Sequence, residues 1–243
     1  MNRFFVPGDW IAPDKVLLKG EPAHQISHVL RLKPGDHISL LDNSGWEYEV
    51  ELARVSGDLV EGRLVKKGLC PGEPEIKITL YQALLKADKF ELVLQKGVEL
   101  GISTFVPFLS ERCVARKLAA SKMARWQKIA QEAAEQSGRA LLPFLQPVIS
   151  FEEACKRAGK PAILCWEEEK SFSLSAILKS ASFQDLPALS LFIGPEGGFP
   201  PAEVDYARAL GIIPVSLGHR ILRAETAGLA TTSAILYQQG EFG

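Results

Sequence analysis

Two glycine-bearing stretches hold the residues best suited to gripping a small ligand: LSLFIGPEGGF, with Gly194, Gly197 and Gly198, and PVSLGHRILRAETAG, with Gly218. Each comes directly off a strand-like run, 189–193 and 212–217, and in open α/β sheets ligands bind beyond the carboxyl ends of the strands. Glycines there let backbone N–H and C=O groups approach a ligand closely. One such loop reads as a tight turn, whereas two loops off consecutive strands read as one shared site. Gly197 is expected to sit where neither the ligand nor a left-handed backbone leaves room for a Cβ. A dinucleotide fingerprint needs GxGxxG with an acidic residue about 20 positions on, but the spacing here is GxxGG and the next strand ends in Leu217-Gly218. A triphosphate loop needs GxxxxGK[ST], and no Lys-Ser or Lys-Thr follows these glycines. What remains is a ligand held by backbone groups and apolar side chains such as Ile193, Leu217 and Leu222, which suits the adenosine and sulfonium of S-adenosylmethionine.

The elements that position these loops are legible from periodicity. From Ile76 onward, β-rich runs at 76–83, 104–108, 161–166, 189–193 and 212–217 alternate with helical patterns, the signature of βαβ units and a parallel sheet. Helix punctuation agrees: Gly101 stops 88–100, Gly138 stops 119–136, Ser150 and Glu153 form a capping box before a helix closed by Gly159, and Gly211 ends 202–210. The first seventy residues differ. Trp46, Tyr48, Val50 and Leu52 alternate with Glu47, Glu49 and Glu51, and turn signals recur at Pro34-Gly35-Asp36, Asp42-Asn43-Ser44-Gly45 and Ser56-Gly57-Asp58, which predicts a small β-barrel. One helix interrupts it, from Pro22 to about Leu32, with Ile26, Val29 and Leu30 inward. A linker, Gly68 to Pro74, separates two domains, 1–72 and 73–243.

Composition bounds the function classes. At 243 residues, 47% hydrophobic and 23% charged, the chain is an ordinary globular one that can bury a core without staples. Cys70, Cys113, Cys155 and Cys165 form no CxxC pair and read as reduced core thiols rather than a disulfide framework or zinc ribbon. With no apolar leader and no run long enough to span a membrane, the expected location is the cytoplasm. Net charge is −1, and the positive and negative residues balance on both sides of residue 72, so any affinity for nucleic acid has to come from local patches.

IGPEGGF followed by LGHRILRAETA closely resembles the 16S rRNA uracil-N3 methyltransferases of the SPOUT superfamily. HVLRLKPGD, KADKFELVLQKGVELGISTFVP and RWQKIAQEAAEQSGR match in order, so that the resemblance covers nearly the whole chain. It implies a PUA-like barrel, then an α/β domain with a parallel sheet and a C-terminal trefoil knot that binds S-adenosylmethionine, and a homodimer acting on 16S rRNA or the small ribosomal subunit. Where the family tends to place a Ser-like cap after GGF, this chain has Pro200-Pro201 before Glu203, and a changed cap is expected, Pro201 suiting a first helical position. Carried over, the cofactor contacts fall on Ile193, Gly194, Glu196, Gly197 and Gly198, and on Leu217, Gly218, Ile221, Leu222 and Arg223, with Thr226 and Ala227 closing the pocket. Glu196 and Arg223 are the candidate catalytic pair, or else an ion pair that fixes the two loops. Arg223 suits an anion on the uracil ring; no residue stands out as the base, and His219 reads as a surface histidine.

Arg112, Arg116, Lys117, Lys122, Arg125 and Lys128 face the single acid Glu111 across 110–128, and Arg139 follows. We read Arg112, Arg116, Lys122, Arg125, Lys128 and Arg139 as phosphate contacts over the alternative of a solvated helix face. His24, His28 and Arg31 share one helix face at i, i+4, i+7 and read as a further RNA contact. A metal there is disfavoured, because Gln25 is not the glutamate of HExxH and no third ligand is evident. Two other classes remain to be separated from an RNA methyltransferase: a nucleotide-cofactor enzyme acting on a small metabolite, which predicts no RNA affinity, and a non-catalytic RNA-binding protein, which predicts no S-adenosylmethionine binding.

Overall fold

The alternation from Trp46 to Leu52 buries Tyr48, Val50 and Leu52 on one face of a strand and leaves the intervening glutamates partly exposed on the other. The computed structural model describes every residue except 13, 14, 87, 116–119 and 243. Two compact units emerge: Met1–Glu73 with Gln131–Leu142, and Pro74–Ala130 with Pro143–Gly243.

In the first unit, β1 (Asn2–Phe5), β2 (Val16–Lys19), β3 (His37–Leu41), β4 (Trp46–Ser56) and β5 (Leu59–Leu69) form a mixed sheet in the order β1-β3-β4-β5-β2. The β1 and β3 pair is parallel and the rest antiparallel. Ladder pairing of Trp46 with Leu69 carries β5 through the first residues of the expected linker. The core is apolar, built on Phe4, Leu18, Ile26, Ile38, Leu40 and Val50.

The helix in this unit starts earlier than expected and changes pitch. α1 (Gly20–His24) runs into a wider π-turn over Gln25–Val29, and the Leu30 N–H donates to Gln25 O at 2.9 Å. That extra residue per turn rotates Val29 off the apolar face: Ile26 is fully buried, whereas Val29 is 65% exposed. Arg31 follows at φ +55°, outside the helix, so it does not continue the face of His24 and His28, whose rings stack at 4.6 Å.

Hydrogen bonds explain why 131–142 groups with the first unit. Glu135 accepts the Phe5 N–H at 3.0 Å and Asn43 Oδ1 accepts the Leu142 N–H at 2.7 Å. Arg139 is 2% exposed, and its Nη2 and Nε grip the Glu73 carboxylate at 2.8 and 3.2 Å. Its assignment as an RNA contact is therefore corrected. A guanidinium spent on a buried bidentate pair has no face left for phosphate.

The second unit holds β6 (Lys77–Ala83), β7 (Thr104–Leu109), β8 (Phe144–Leu145), β9 (Ile149–Ser150), β10 (Ala162–Cys165), β11 (Ala188–Ile193) and β12 (Ile213–Val215). All pair in parallel, in the order β12-β10-β11-β6-β7-β8, with β9 also on β7. Each of the five strand-like runs yields a strand here. The helices are α2 (Lys89–Glu99), α3 (Ala120–Ser137), α4 (Phe151–Arg157), α5 (Leu174–Leu178), α6 (Pro201–Ala209) and α7 (Ala224–Gln238), of which α3 continues into the first unit from Gln131. Ser150 caps α4 as its spacing implied, accepting the Glu153 N–H at 3.2 Å. At α6, Pro200 gives no side-chain cap and Pro201 opens the helix; Glu203 in the first turn takes the Ser110 hydroxyl at 2.7 Å and the Glu111 N–H at 2.9 Å. Stacked and tilted rings of Tyr81, Phe108, Phe151, Phe192 and Phe199 fill the core beside β6, β7 and β11.

Cys113, Cys155 and Cys165 are buried thiols, while Cys70 is only half-buried. Among the described residues no helix is long and apolar enough to cross a membrane, and no group of three His, Cys, Asp or Glu side chains is placed to hold a metal ion.

Candidate active site

Parallel register ends three neighbouring strands at one level, because Cys165 of β10 pairs with Ile193 of β11 and with Val215 of β12. Three loops therefore leave the sheet side by side: 166–173, 194–200 and 216–223. They enclose a cavity of about 810 Å³, inside the range of roughly 300–1,000 Å³ usual for small-molecule sites.

The loops brace one another through the backbone. Trp166 Nε1 donates to Phe199 O at 3.3 Å, joining the first loop to the second. Ser216 N–H donates to Phe172 O at 2.8 Å and Leu174 N–H to Ser216 O at 2.9 Å, joining the third loop to the first. Two glycines need left-handed backbone, Gly198 at φ +68° and Gly218 at φ +97°. A Cβ at Gly198 would overlap the Glu167 carboxylate, whereas one at Gly218 would meet nothing within 4 Å.

From the first glycine loop, Ile193, Gly194, Glu196 and Gly198 line the cavity; from the second, Leu217, Gly218, Ile221, Leu222 and Arg223 do, with Ala227 behind them. Gly197 and Thr226 do not. Gly197 turns outward, where its carbonyl accepts from Arg112 Nη1 at 3.0 Å, and it is Gly198 whose backbone is left-handed. Thr226 is exposed on the first turn of α7, one position off the face that Ala227 turns inward. Ile221 is 86% exposed at the rim.

Glu196 and Arg223 do not pair. Glu196 Oε1 accepts the Lys86 N–H at 3.1 Å and lies 3.6 Å from Lys89 Nζ, while Arg223 Nη1 stands 3.9 Å from Glu225. Burial alone would raise the Glu196 carboxyl, but hydrogen bonds from its own N–H and that of Lys86, with the charges of Lys89 and Lys86, outweigh it and hold the group below the usual range. It is an anion that attracts cations and gives up little basicity to a substrate.

The spacing of residues did not point to the whole 166–173 loop. Trp166, Glu167, Glu169, Lys170 and Ser173 all line the cavity. Glu169 is nearly buried; it accepts the Ser171 N–H at 2.6 Å and Arg208 Nη2 at 2.7 Å. Against a desolvation penalty that raises it, those bonds, the Phe172 N–H and the Arg208 charge hold its carboxyl below the usual range. Arg208 also lies over the Trp166 ring at 5.5 Å, tying the wall of the cavity to α6. The missed signal was topological: Ala162–Cys165 was legible as a strand, but its place between β11 and β12 was not.

The basic patch is partly spent within the fold. Arg112 braces Gly197, and Arg125 Nη2 pairs with Glu91 at 2.6 Å. Lys122 and Lys128 lie exposed on α3, and Arg116 lies outside the described residues. His24 and His28 are exposed.

Comparison with known proteins identifies relatives of the same layout. The family model described as an RNA methyltransferase domain matches residues 72–236. A ribosomal RNA small subunit methyltransferase E of Bacillus subtilis is 39% identical over 91% of this chain and 89% of its own length, and one of Synechocystis is 37% identical over 96% and 78%. Among solved structures, a ribosomal RNA small subunit methyltransferase E of Neisseria gonorrhoeae bound to S-adenosyl methionine matches with a TM-score of 0.89 and 33% identity over the full length of both chains. A Legionella pneumophila methyltransferase in complex with S-adenosylmethionine matches with a TM-score of 0.88 and 30% identity over 98% and 97%.

Proposed function

Because the chain belongs to the RNA methyltransferase family, we propose that it methylates N3 of a uridine in 16S ribosomal RNA with S-adenosylmethionine as donor. The observation that carries this reading is the cavity at the level ends of β10, β11 and β12, walled by two glycine loops. Its residues fit the donor. Gly194 and Gly218 offer close backbone approach, Ile193, Leu217 and Leu222 give apolar walls, and Glu196 offers a carboxylate to a cation. When bound, S-adenosylmethionine supplies a methyl group on a sulfonium, an electrophile that asks mainly for positioning. Glu196, kept ionised by Lys86 and Lys89, favours positive charge at one wall; Phe199 and Trp166 exclude water at another.

The finer parts of the reading follow from the same family membership. The five-stranded first unit is a PUA-like barrel, and the loops around the cavity belong to a trefoil knot. Two copies form a homodimer, for which the exposed Ile221 at the rim supplies apolar surface. Lys122, Arg125 and Lys128, with His24 and His28, are phosphate contacts. The enzyme works in the cytoplasm, where its rRNA is. Mass spectrometry of rRNA nucleosides from cells with and without the protein tests the central claim: 3-methyluridine in small-subunit rRNA should depend on it, and its persistence in the deletion would end this reading. A light-scattering mass of one chain in an active preparation would end the dimer.

A further inference from the structure

Lys89, at the start of α2, stands between two carboxylates of the cavity wall, with Nζ 3.6 Å from Glu196 Oε1 and 3.4 Å from Glu225 Oε2. Glu225, in the first turn of α7, is 8% exposed, and its Oε2 is buried with no hydrogen-bond partner. Its other oxygen lies 3.9 Å from Arg223 Nη1. A buried carboxylate oxygen that accepts no hydrogen bond, with only an ion-pair partner at 3.4 Å, is costly and calls for a reason. The two carboxylates beside Lys89 thus differ: Glu196 accepts the Lys86 N–H, whereas Glu225 Oε2 has the Lys89 ammonium as an ion-pair partner but accepts no hydrogen bond.

One ligand edge would satisfy both Glu225 and Lys89, namely a neutral N–H beside a carbonyl oxygen. Uracil presents that edge, with N3–H flanked by O2 and O4. We propose that Glu225 accepts the N3 proton and that Lys89 holds the charge developing on the adjacent carbonyl oxygen, an assignment that rests on the function proposed above. In the transfer, the N3–H bond breaks and its proton passes to Glu225 Oε2. The electron pair left on N3 forms the bond to the methyl carbon, and the carbon–sulfur bond breaks with its pair going to sulfur. The products are 3-methyluridine, S-adenosylhomocysteine and a proton that Glu225 returns to water. A zwitterionic amino-acid tail is the competing occupant, with its ammonium toward Glu196 and Glu225 and its carboxylate toward Lys89, and cofactor affinity in the variants separates it from the uracil edge. The charged groups that face Glu225 are Lys89 from α2, Arg223 just before α7, and Glu196 across Lys89.

The test uses the full chain and the variants Glu225→Gln, Glu225→Asp and Lys89→Met. Calorimetry should find S-adenosylmethionine bound within about threefold of the parent in all three. Glu225→Gln should lower kcat by about 100-fold or more, the usual scale of a lost general base; Glu225→Asp should recover part of it. A binding measurement adds a readout independent of turnover. The parent should prefer an rRNA fragment with uridine at the target over one with cytidine, whose N3 turns a lone pair toward the carboxylate, and Glu225→Gln should erase that preference because its amide can donate to it. Lys89→Met, on a part-exposed helix start, should lower kcat at least tenfold and guards against a folding defect in the glutamate variants. A parent-like kcat in Glu225→Gln overturns the assignment, and so does a loss of cofactor affinity beyond tenfold, which would give the pair to the donor's tail. A parent protein that methylates no uridine fails the function itself; a methylating parent with indifferent variants fails only this inference.

Discussion

Alanine at Gly198 is the sharpest probe of the cavity, because two costs can be read from the backbone and its surroundings. At φ +68° an L side chain is strained, by about 1–2 kcal/mol in the left-handed region. The new Cβ would also overlap the Glu167 carboxylate, but that is the free end of an exposed, flexible side chain and yields cheaply. The strain therefore sets the magnitude. If the loop relaxes to a negative φ, the binding-competent conformer is depopulated and the apparent affinity falls in proportion, about 5- to 30-fold for 1–2 kcal/mol. If it holds its shape, the same energy appears as a midpoint lowered by roughly 2–4 °C per kcal/mol in a chain of this size. Calorimetry with S-adenosylmethionine and thermal unfolding of the same preparation must together account for it. Gly197→Ala is the control: its φ lies outside the left-handed region, and its Cβ would meet Arg112, 3.3 Å away at Cβ and outside the cavity, so affinity should stay within about threefold. A Gly198→Ala protein with the parent's affinity and midpoint, or a larger loss at Gly197, would refute the geometry assigned to this loop.

Three further outcomes are expected. Arg139→Ala leaves the half-buried Glu73 with the Leu141 N–H as its remaining hydrogen bond and should cost about 1–3 kcal/mol in urea unfolding; an unchanged midpoint would show that 131–142 is not anchored by this pair. Glu169 has a folded carboxyl held below the usual range by Arg208 and two backbone N–H groups, so its stabilisation is present above the unfolded value of about 4.3 and is lost as pH falls through the lower folded value. Below about pH 4 the parent should lose stability more steeply than Glu169→Gln, and parallel curves would discount the contact. Replacing Lys122, Arg125 and Lys128 together by Ala should make the slope of log RNA affinity against log salt shallower by about two to three units, at roughly 0.7–0.9 per phosphate contact, with S-adenosylmethionine affinity intact; an unchanged slope would make this a solvated helix face.

Local signals survived the fold where the physics is local. The alternation at Trp46–Leu52, the Ser150 cap and the proline start of α6 each depend on neighbours a few residues away, and each is where its spacing implied. The α1 register failed at Val29 because a single wide turn, which periodicity does not encode, moved one residue off the apolar face. Parallel pairing is non-local, and nothing in the composition of Ala162–Cys165 says that it lies between β11 and β12; with that neighbour unknown, nothing singles out Trp166 to Ser173 as a third wall. Charge patterning failed for a related reason. Arg139 looks like its basic neighbours until Glu73 is found opposite it, and burial turns a surface cation into a structural one.

The same logic separates the two carboxylates that flank Lys89. Glu196 and Glu225 both accompany a glycine loop, and sequence spacing favours Glu196, which stands within the glycines. Hydrogen bonding reverses the order, since Glu196 is held by the Lys86 N–H, whereas Glu225 Oε2 is buried beside Lys89 and accepts no hydrogen bond. A group already satisfied by the fold stabilises the loop it sits on, whereas one left unsatisfied at a cost has that capacity free for the substrate. The residue able to take a proton was therefore legible only from which acceptors the folded chain leaves unmet.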